Sequence, residues 1–173
     1  MITPFEATLL GIVAHKPISR YGVMKAIQQQ SLYWAGSPGA VYSALGRMLE
    51  KGLIEVVENT DPKIYKITDL GLEVGHSYLK TPVPASKLIL DPSLIRIKLR
   101  GIHDLPASDR IRFYEAQLEE YCQAKQLVHD KQLGFSGTEI VRELSTLALR
   151  QLGLEVDFIL KLLDRVRGES TSL

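Results

Sequence analysis

At 173 residues the chain has room for one compact domain, or for a small domain plus an extension. Hydrophobic residues at 45% and charged residues at 24% are ordinary globular usage, which excludes a wholly disordered, collagen-like or low-complexity chain. Lys+Arg 21 against Asp+Glu 20 leave a net charge of +1, which excludes a chain-wide basic coat and leaves room for a local basic patch.

Thr3-Pro4-Phe5-Glu6 predicts the first helix. Thr3 accepts from an orphan amide, Pro4 suits the first helical position, and Glu6 completes a capping box. Leu9, Leu10, Ile12 and Val13 supply a buried stripe. Lys16-Pro17 should stop the helix, because the residue before proline avoids the α region. Ser19 is the next N-cap, and Tyr21, Met24, Ala26 and Ile27 behind it fit a helix running towards Gln30. Gly22 weakens that helix by roughly 1 kcal/mol and is expected to permit a close approach of another backbone. Leu32, Tyr33 and Trp34 follow as an aromatic connection.

Ser37 caps a third helix, Pro38 starts it, and Gly52 sits where a left-handed stop is expected. Val41, Leu45, Met48 and Leu49 share one face. Gly39, Ala40, Ser43, Gly46 and Arg47 largely share the other. That second face holds small residues and one cation, where a solvated face would carry more Glu and Lys. The period then changes. Residues 53–58 and 64–68 read as two short strands, joined by the turn residues Asn59-Thr60-Asp61-Pro62-Lys63 into a β-hairpin. Thr68-Asp69 caps a fourth helix through Leu70, Leu72, Val74 and Tyr78 to about Leu79. Thr81-Pro82-Val83-Pro84 ends it. Residues 81–90 are assigned to a linker, which divides the chain into a domain over 1–80 and another over 91–173.

Beyond the linker, Asp91-Pro92 starts a short helix with Leu94, Ile95, Ile97 and Leu99. A long helix follows from Leu105-Pro106 and Ser108, and Gly134 and Gly137 break it. Its Ile111, Tyr114, Leu118, Tyr121 and Val128 keep an a/d register, with Lys125 at the skipped position. Thr138 opens a last long helix carrying Val141, Leu144, Leu147, Leu152, Val156, Ile159, Leu160, Leu163 and Val166. Two long amphipathic helices without a third of comparable length leave apolar surface uncovered. Pairing with a second copy would cover it and give an isologous dimer. The alternative is that they fold back on the first domain. The expected dimerisation residues are Ile111, Tyr114, Leu118, Tyr121, Val128, Leu144, Leu152, Ile159 and Leu163.

The order helix–helix–helix–hairpin–helix is that of a winged helix-turn-helix. The fold class is therefore mostly α with a small β-hairpin wing: an N-terminal winged helix-turn-helix followed by a C-terminal antiparallel helical dimerisation region. In this arrangement the third helix enters the major groove of double-stranded DNA by its N-terminal end, where free amides attract phosphate. The candidate DNA-binding residues are Tyr21, Ser37, Gly39, Ala40, Tyr42, Ser43, Arg47, Lys63 and Lys66. Each has a plainer role open to it. Tyr42 can pack between helix and wing, Arg47 can pair with Glu50, and the two lysines can belong to a solvated hairpin.

The sequence resembles the PadR family of bacterial transcriptional regulators. The matching stretches are Leu9-Leu10-Gly11-Ile12, Tyr21-Gly22, residues 41–48, Glu50-Lys51-Gly52-Leu53-Ile54 and residues 65–71. Tyr33-Trp34 looks like the virulence-activator branch, and Asp91-Pro92-Ser93-Leu94 with the two long helices is similar to that branch's helical dimerisation region. The resemblance implies a homodimeric DNA-binding regulator under the control of a small phenolic or drug-like ligand. The wing is a departure, since family members carry a more basic one. Residues 1–80 hold eight Lys and Arg against seven Asp and Glu, which implies weak nonspecific affinity and strong dependence on salt and on dimerisation.

Tyr33, Trp34, Tyr114 and Tyr121 are candidates for binding an aromatic effector between the winged domain and the dimer helices, with core packing as the alternative for the first two. Cys122, the single cysteine, cannot form an internal disulfide, fits a reducing cytoplasm, and is expected to be a small buried hydrophobe. His15, His76, His103 and His129 lack paired ligand spacing, so no metal or other cofactor is expected. No nucleophile elbow or phosphate loop is present, so no enzyme is expected. No apolar run approaches the ~20 residues of a membrane span, and no signal peptide is expected from the opening residues. A cytoplasmic location follows. The competing function is a winged-helix protein-interaction module without specific DNA binding.

Overall fold

Thr3 and Glu6 close the capping box as expected. The Glu6 amide donates to Thr3 Oγ1 at 3.1 Å, and the Thr3 amide donates to Glu6 Oε2 at 2.9 Å. In the computed structural model, which describes residues 2–30, 37–134 and 138–171, this box opens α1 (Pro4–His15). A two-residue strand β1 (Ile18–Ser19) follows, then α2 (Arg20–Gln30) and α3 (Pro38–Glu50). The hairpin strands are β2 (Ile54–Val57) and β3 (Ile64–Ile67), and α4 (Asp69–Lys80) completes the winged helix.

The strand at Ile18–Ser19 went unforeseen, because two residues carry no readable alternation. It pairs antiparallel with β3, Ile18 opposite Tyr65, so the wing is a three-stranded sheet in the order β1-β3-β2. Ser19 still caps α2, its hydroxyl accepting from the Gly22 amide at 3.1 Å. Gly22 is tight for a different reason from the one expected. A Cβ there would lie 2.6 Å from the Ile18 side chain, not against another backbone. The close backbone approach occurs at Gly71, where a Cβ would collide with the Leu53 carbonyl.

Gly52, at φ +67°, ends α3 as the sequence predicts. Its amide bonds the Leu49 carbonyl, and the Leu53 amide bonds that of Met48, a Schellman closure. Thr68 then ties the start of α4 to that same turn, donating to the Gly52 carbonyl at 2.7 Å and accepting from the Gly71 amide at 3.0 Å. The core of this unit, Met1–Leu79, gathers Leu9, Leu10 and Val13 of α1, Val23 and Ile27 of α2, Val41, Leu45 and Met48 of α3, and Ile54 and Tyr65 of the sheet.

The second compact unit is Lys80–Leu173. Residues 85–90, assigned to the linker, instead form the helix α5 (Ala85–Leu90), with Ala85 and Leu88 buried. The backbone ahead of it is held by α7 (Ala107–Gly134). The Gln117 amide group accepts from the Val83 N–H at 2.8 Å and donates to its carbonyl at 3.1 Å. Between them lie α6 (Ser93–Gly101) and a single 3-10 turn, and α8 (Glu139–Thr171) packs along α7.

Candidate nucleic-acid interface

The N-terminal turn of α3 stands open. Ser37, Pro38, Gly39 and Ala40 are all exposed, and the Ser37 hydroxyl accepts from the Ala40 amide at 3.3 Å. Among the described residues no Cβ contact constrains Gly39 or Gly46. This leaves a helix start with little side-chain bulk, a geometry that admits a phosphate.

Tyr42 and Ser43 are exposed one residue apart on the next turn, and Tyr21 at the head of α2 is 72% exposed. Arg20, which the sequence did not single out, joins these pieces. Its guanidinium carbon lies 4.5 Å from the Tyr42 ring centroid, and Nη2 donates to the Tyr65 hydroxyl at 3.3 Å. The contact with Tyr42 is a cation–π pair at a half-open site. It braces the tyrosine against α2 and, through Tyr65, against the central strand of the wing. The only advance signal was the position of Arg20 just after the cap Ser19.

Arg47 does not pair with Glu50. Its Nε donates to Glu6 Oε1 at 3.0 Å, and its Nη1 donates to Ser43 Oγ at 2.9 Å. Lys51, one turn further along, reaches both Glu6 oxygens at 3.3 and 3.4 Å. Burial pushes the Glu6 carboxyl up. The Thr3 amide, Arg47 and Lys51 overcome that and hold it at about 2. Glu6 is therefore charged, fully buried, and bonded to two cations that remain nearly half exposed. Sequence reasoning used Glu6 as a helix cap and missed this second role. Lys51 could have been found, since it stands four residues after Arg47.

The wing is balanced in the same manner. Glu55 and Lys66 are register partners across β2 and β3, and their charged groups meet at 2.8 Å on the exposed face. The hydrogen bond to Glu55 and its charge raise the Lys66 ammonium above its ordinary value. Lys63 is exposed in the turn before β3.

The expected dimer residues divide. Tyr114, Tyr121, Val128, Leu152, Ile159 and Leu163 are buried within the single chain, where α7 and α8 pack. Ile111 and Leu118 are half-buried, and Leu144 is 58% exposed. The seam of α7 runs through Tyr114, Gln117, Tyr121, Ala124 and Val128, not through Leu118 and Lys125. A buried glutamine hides the register from a hydrophobicity pattern. The outward row of α8 is instead Ile140, Leu144, Leu147, Leu154 and Phe158, all more than half exposed. Cys122 is also exposed, contrary to expectation, because it points away from the α7 seam.

Of the expected effector residues, Tyr33 and Trp34 lie outside the described residues. Tyr114 and Tyr121 are buried, and the Tyr121 hydroxyl lies beside Glu155 without hydrogen-bond geometry. Burial, then the neighbouring Glu155, pushes that hydroxyl above the ordinary tyrosine value. Among the described residues no helix is long and apolar enough to cross a membrane.

Residues 9–76 match the Transcriptional regulator PadR-like family. The chain is similar to Bacillus subtilis PadR in complex with operator DNA, at 18% identity over 95% of this chain and 99% of that one, TM-score 0.43. It is similar to the same protein in complex with p-coumaric acid, at 18% identity, 95% and 99% coverage and TM-score 0.44. It is also similar to the Vibrio cholerae virulence activator AphA, at 17% identity, 96% and 98% coverage and TM-score 0.41. No curated protein matches.

Proposed function

We propose, from the match of residues 9–76 to the PadR-like transcriptional regulator family, that the chain is a sequence-specific DNA-binding regulator. It acts in the cytoplasm as a homodimer on an inverted-repeat operator, and a small aromatic ligand controls it. The observation that carries this reading is the open start of α3, with Gly39 and Ala40 exposed ahead of Tyr42, Ser43 and Arg47. Phosphates meet the α3 amides and the Tyr42 hydroxyl, Arg47 and Ser43 face base edges or phosphates, and Tyr21, Lys63 and Lys66 touch the flanking backbone.

The dimer is supported by the bare apolar row on α8. Ile140, Leu144, Leu147, Leu154 and Phe158 recur at steps of three, four and seven residues on a helix whose opposite side packs on α7. An exposed apolar row of that kind marks an interaction surface. Support for the aromatic effector comes from Tyr121, a buried phenol whose hydroxyl lies beside the Glu155 carboxylate.

The test is a gel-shift titration against the DNA upstream of the chain's own gene at two salt concentrations, with Arg47→Ala beside the wild type. The expected result is a discrete, salt-sensitive complex that resists competitor DNA, weakened by about 1–3 kcal/mol in Arg47→Ala. The pairing of Arg47, Lys51 and Lys66 with internal carboxylates favours a second reading, a winged-helix protein-interaction module. Absence of any complex below micromolar protein at low salt, on this DNA and on a genomic pool, would support that reading instead.

A further inference from the structure

Glu6 is a charged side chain at 1% exposure in a helix that does not itself present the candidate DNA face. A cap for α1 alone would need only one carboxylate oxygen, which the Thr3 amide takes at 2.9 Å. The other oxygen receives Arg47 Nε at 3.0 Å, and Lys51 Nζ reaches both oxygens at 3.3 and 3.4 Å, from α3 and its C-cap more than forty positions along the chain. Ser43 Oγ holds Nη1 of the same guanidinium at 2.9 Å. Arg47 is thus fixed at two of its nitrogens before any ligand arrives, while nearly half of its side chain stays in solvent. Fixing a long side chain in advance removes an ordering penalty that binding would otherwise incur. The carboxylate also cancels part of the local positive charge, which weakens attraction to phosphate of any sequence.

We propose that Glu6 is a positioning residue for DNA recognition, holding Arg47 ready for the operator while restraining nonspecific binding. This rests on the regulator reading above. Glu6→Gln keeps an acceptor for the Thr3 amide and nearly the same volume, but loses the charge. Equilibrium binding would be measured for wild type and Glu6→Gln on the retarded upstream duplex and on a scrambled duplex, each at two salt concentrations.

The variant should lose discrimination between the duplexes by between about three- and ten-fold, the factor that ordering one long side chain is worth. Its affinity for the scrambled duplex should hold or rise, with a steeper salt dependence. A structural role alone would lower the melting temperature and leave both the discrimination and the salt slope of the folded fraction unchanged, and that result overturns the proposal.

Should the variant not fold, the wild-type protein decides. The Arg47 Nε proton, followed by nitrogen-15 NMR without DNA, should exchange with solvent more slowly than those of unpaired surface arginines. Exchange as fast as theirs overturns the proposal. A wild type that binds neither duplex would strike the regulator reading and take this inference with it. Wild-type discrimination that Glu6→Gln leaves intact would strike Glu6 alone.

Discussion

In the winged unit, α3 turns its cations to a buried carboxylate, whereas in the C-terminal unit α8 turns half of its apolar side chains out to solvent. Arg47 and Lys51 are satisfied within the chain by Glu6, and Lys66 by Glu55. Leu144, Leu147, Leu154 and Phe158 keep more than half of their surface in solvent. On the proposed function, the contrast assigns a different kind of specificity to each unit. A domain with almost no net charge cannot hold DNA by bulk attraction, so placement of a few donors has to discriminate. A helix with two apolar sides has to find a second surface, and dimerisation is the way the proposal meets that need.

The largest effect should come from breaking the α8 side. Leu144→Glu with Leu147→Glu puts two like charges into the proposed interface while touching no buried position. We expect dissociation to monomers by sedimentation, a loss of more than about 3 kcal/mol of association, with helicity retained. A dimer that persists in this variant would remove the outward row from the interface.

Acid attacks the other side of the contrast. The Glu6 carboxyl is lowered from 4.5 to about 2 in the folded state. A lowered carboxyl stabilises the fold above its unfolded value and loses that contribution as pH falls through its folded value. Up to about 3 kcal/mol of stability should therefore disappear between roughly pH 4.5 and 2. Denaturant titrations across that window should show the slope in wild type, and a much flatter one in Glu6→Gln.

Gly71→Ala tests the frame that carries α3 and the wing. The added methyl meets the Leu53 carbonyl, and the α3 turn must move. The expected loss is about 2 kcal/mol by chemical denaturation, and an unchanged midpoint would mean that the turn yields without penalty. The smallest effect belongs to Glu55→Gln, which frees Lys66 on the exposed wing. Its melting temperature should not move, while the salt dependence of DNA binding should steepen slightly.

These outcomes also mark how far the sequence could be followed. Local chemistry was legible: Thr3 and Glu6 as a capping box, Gly52 as a left-handed stop, and Thr68 as the cap of α4 all form as the residue types require. Pairings between distant residues were not. Glu6 already had a sufficient local role, so nothing in the sequence pointed to Arg47. Gln117 sits in the α7 seam because it closes on the Val83 backbone, and a pattern of apolar residues passes over it in favour of Leu118. The two-residue strand at Ile18–Ser19 exists only because β3 lies beside it. For the candidate site, α3 and its exposed residues were readable. Arg20 became visible through its contacts, whereas Lys51 carried a signal in the sequence, its spacing of four residues from Arg47.

The central claim is that two copies of α3 read one operator, and hydroxyl-radical footprinting of the retarded complex tests it most directly. The account predicts two protected half-sites related by a twofold axis, centred about one helical turn or slightly more apart, both lost together in Leu144→Glu with Leu147→Glu. A single unsymmetrical patch that survives in that variant would contradict it.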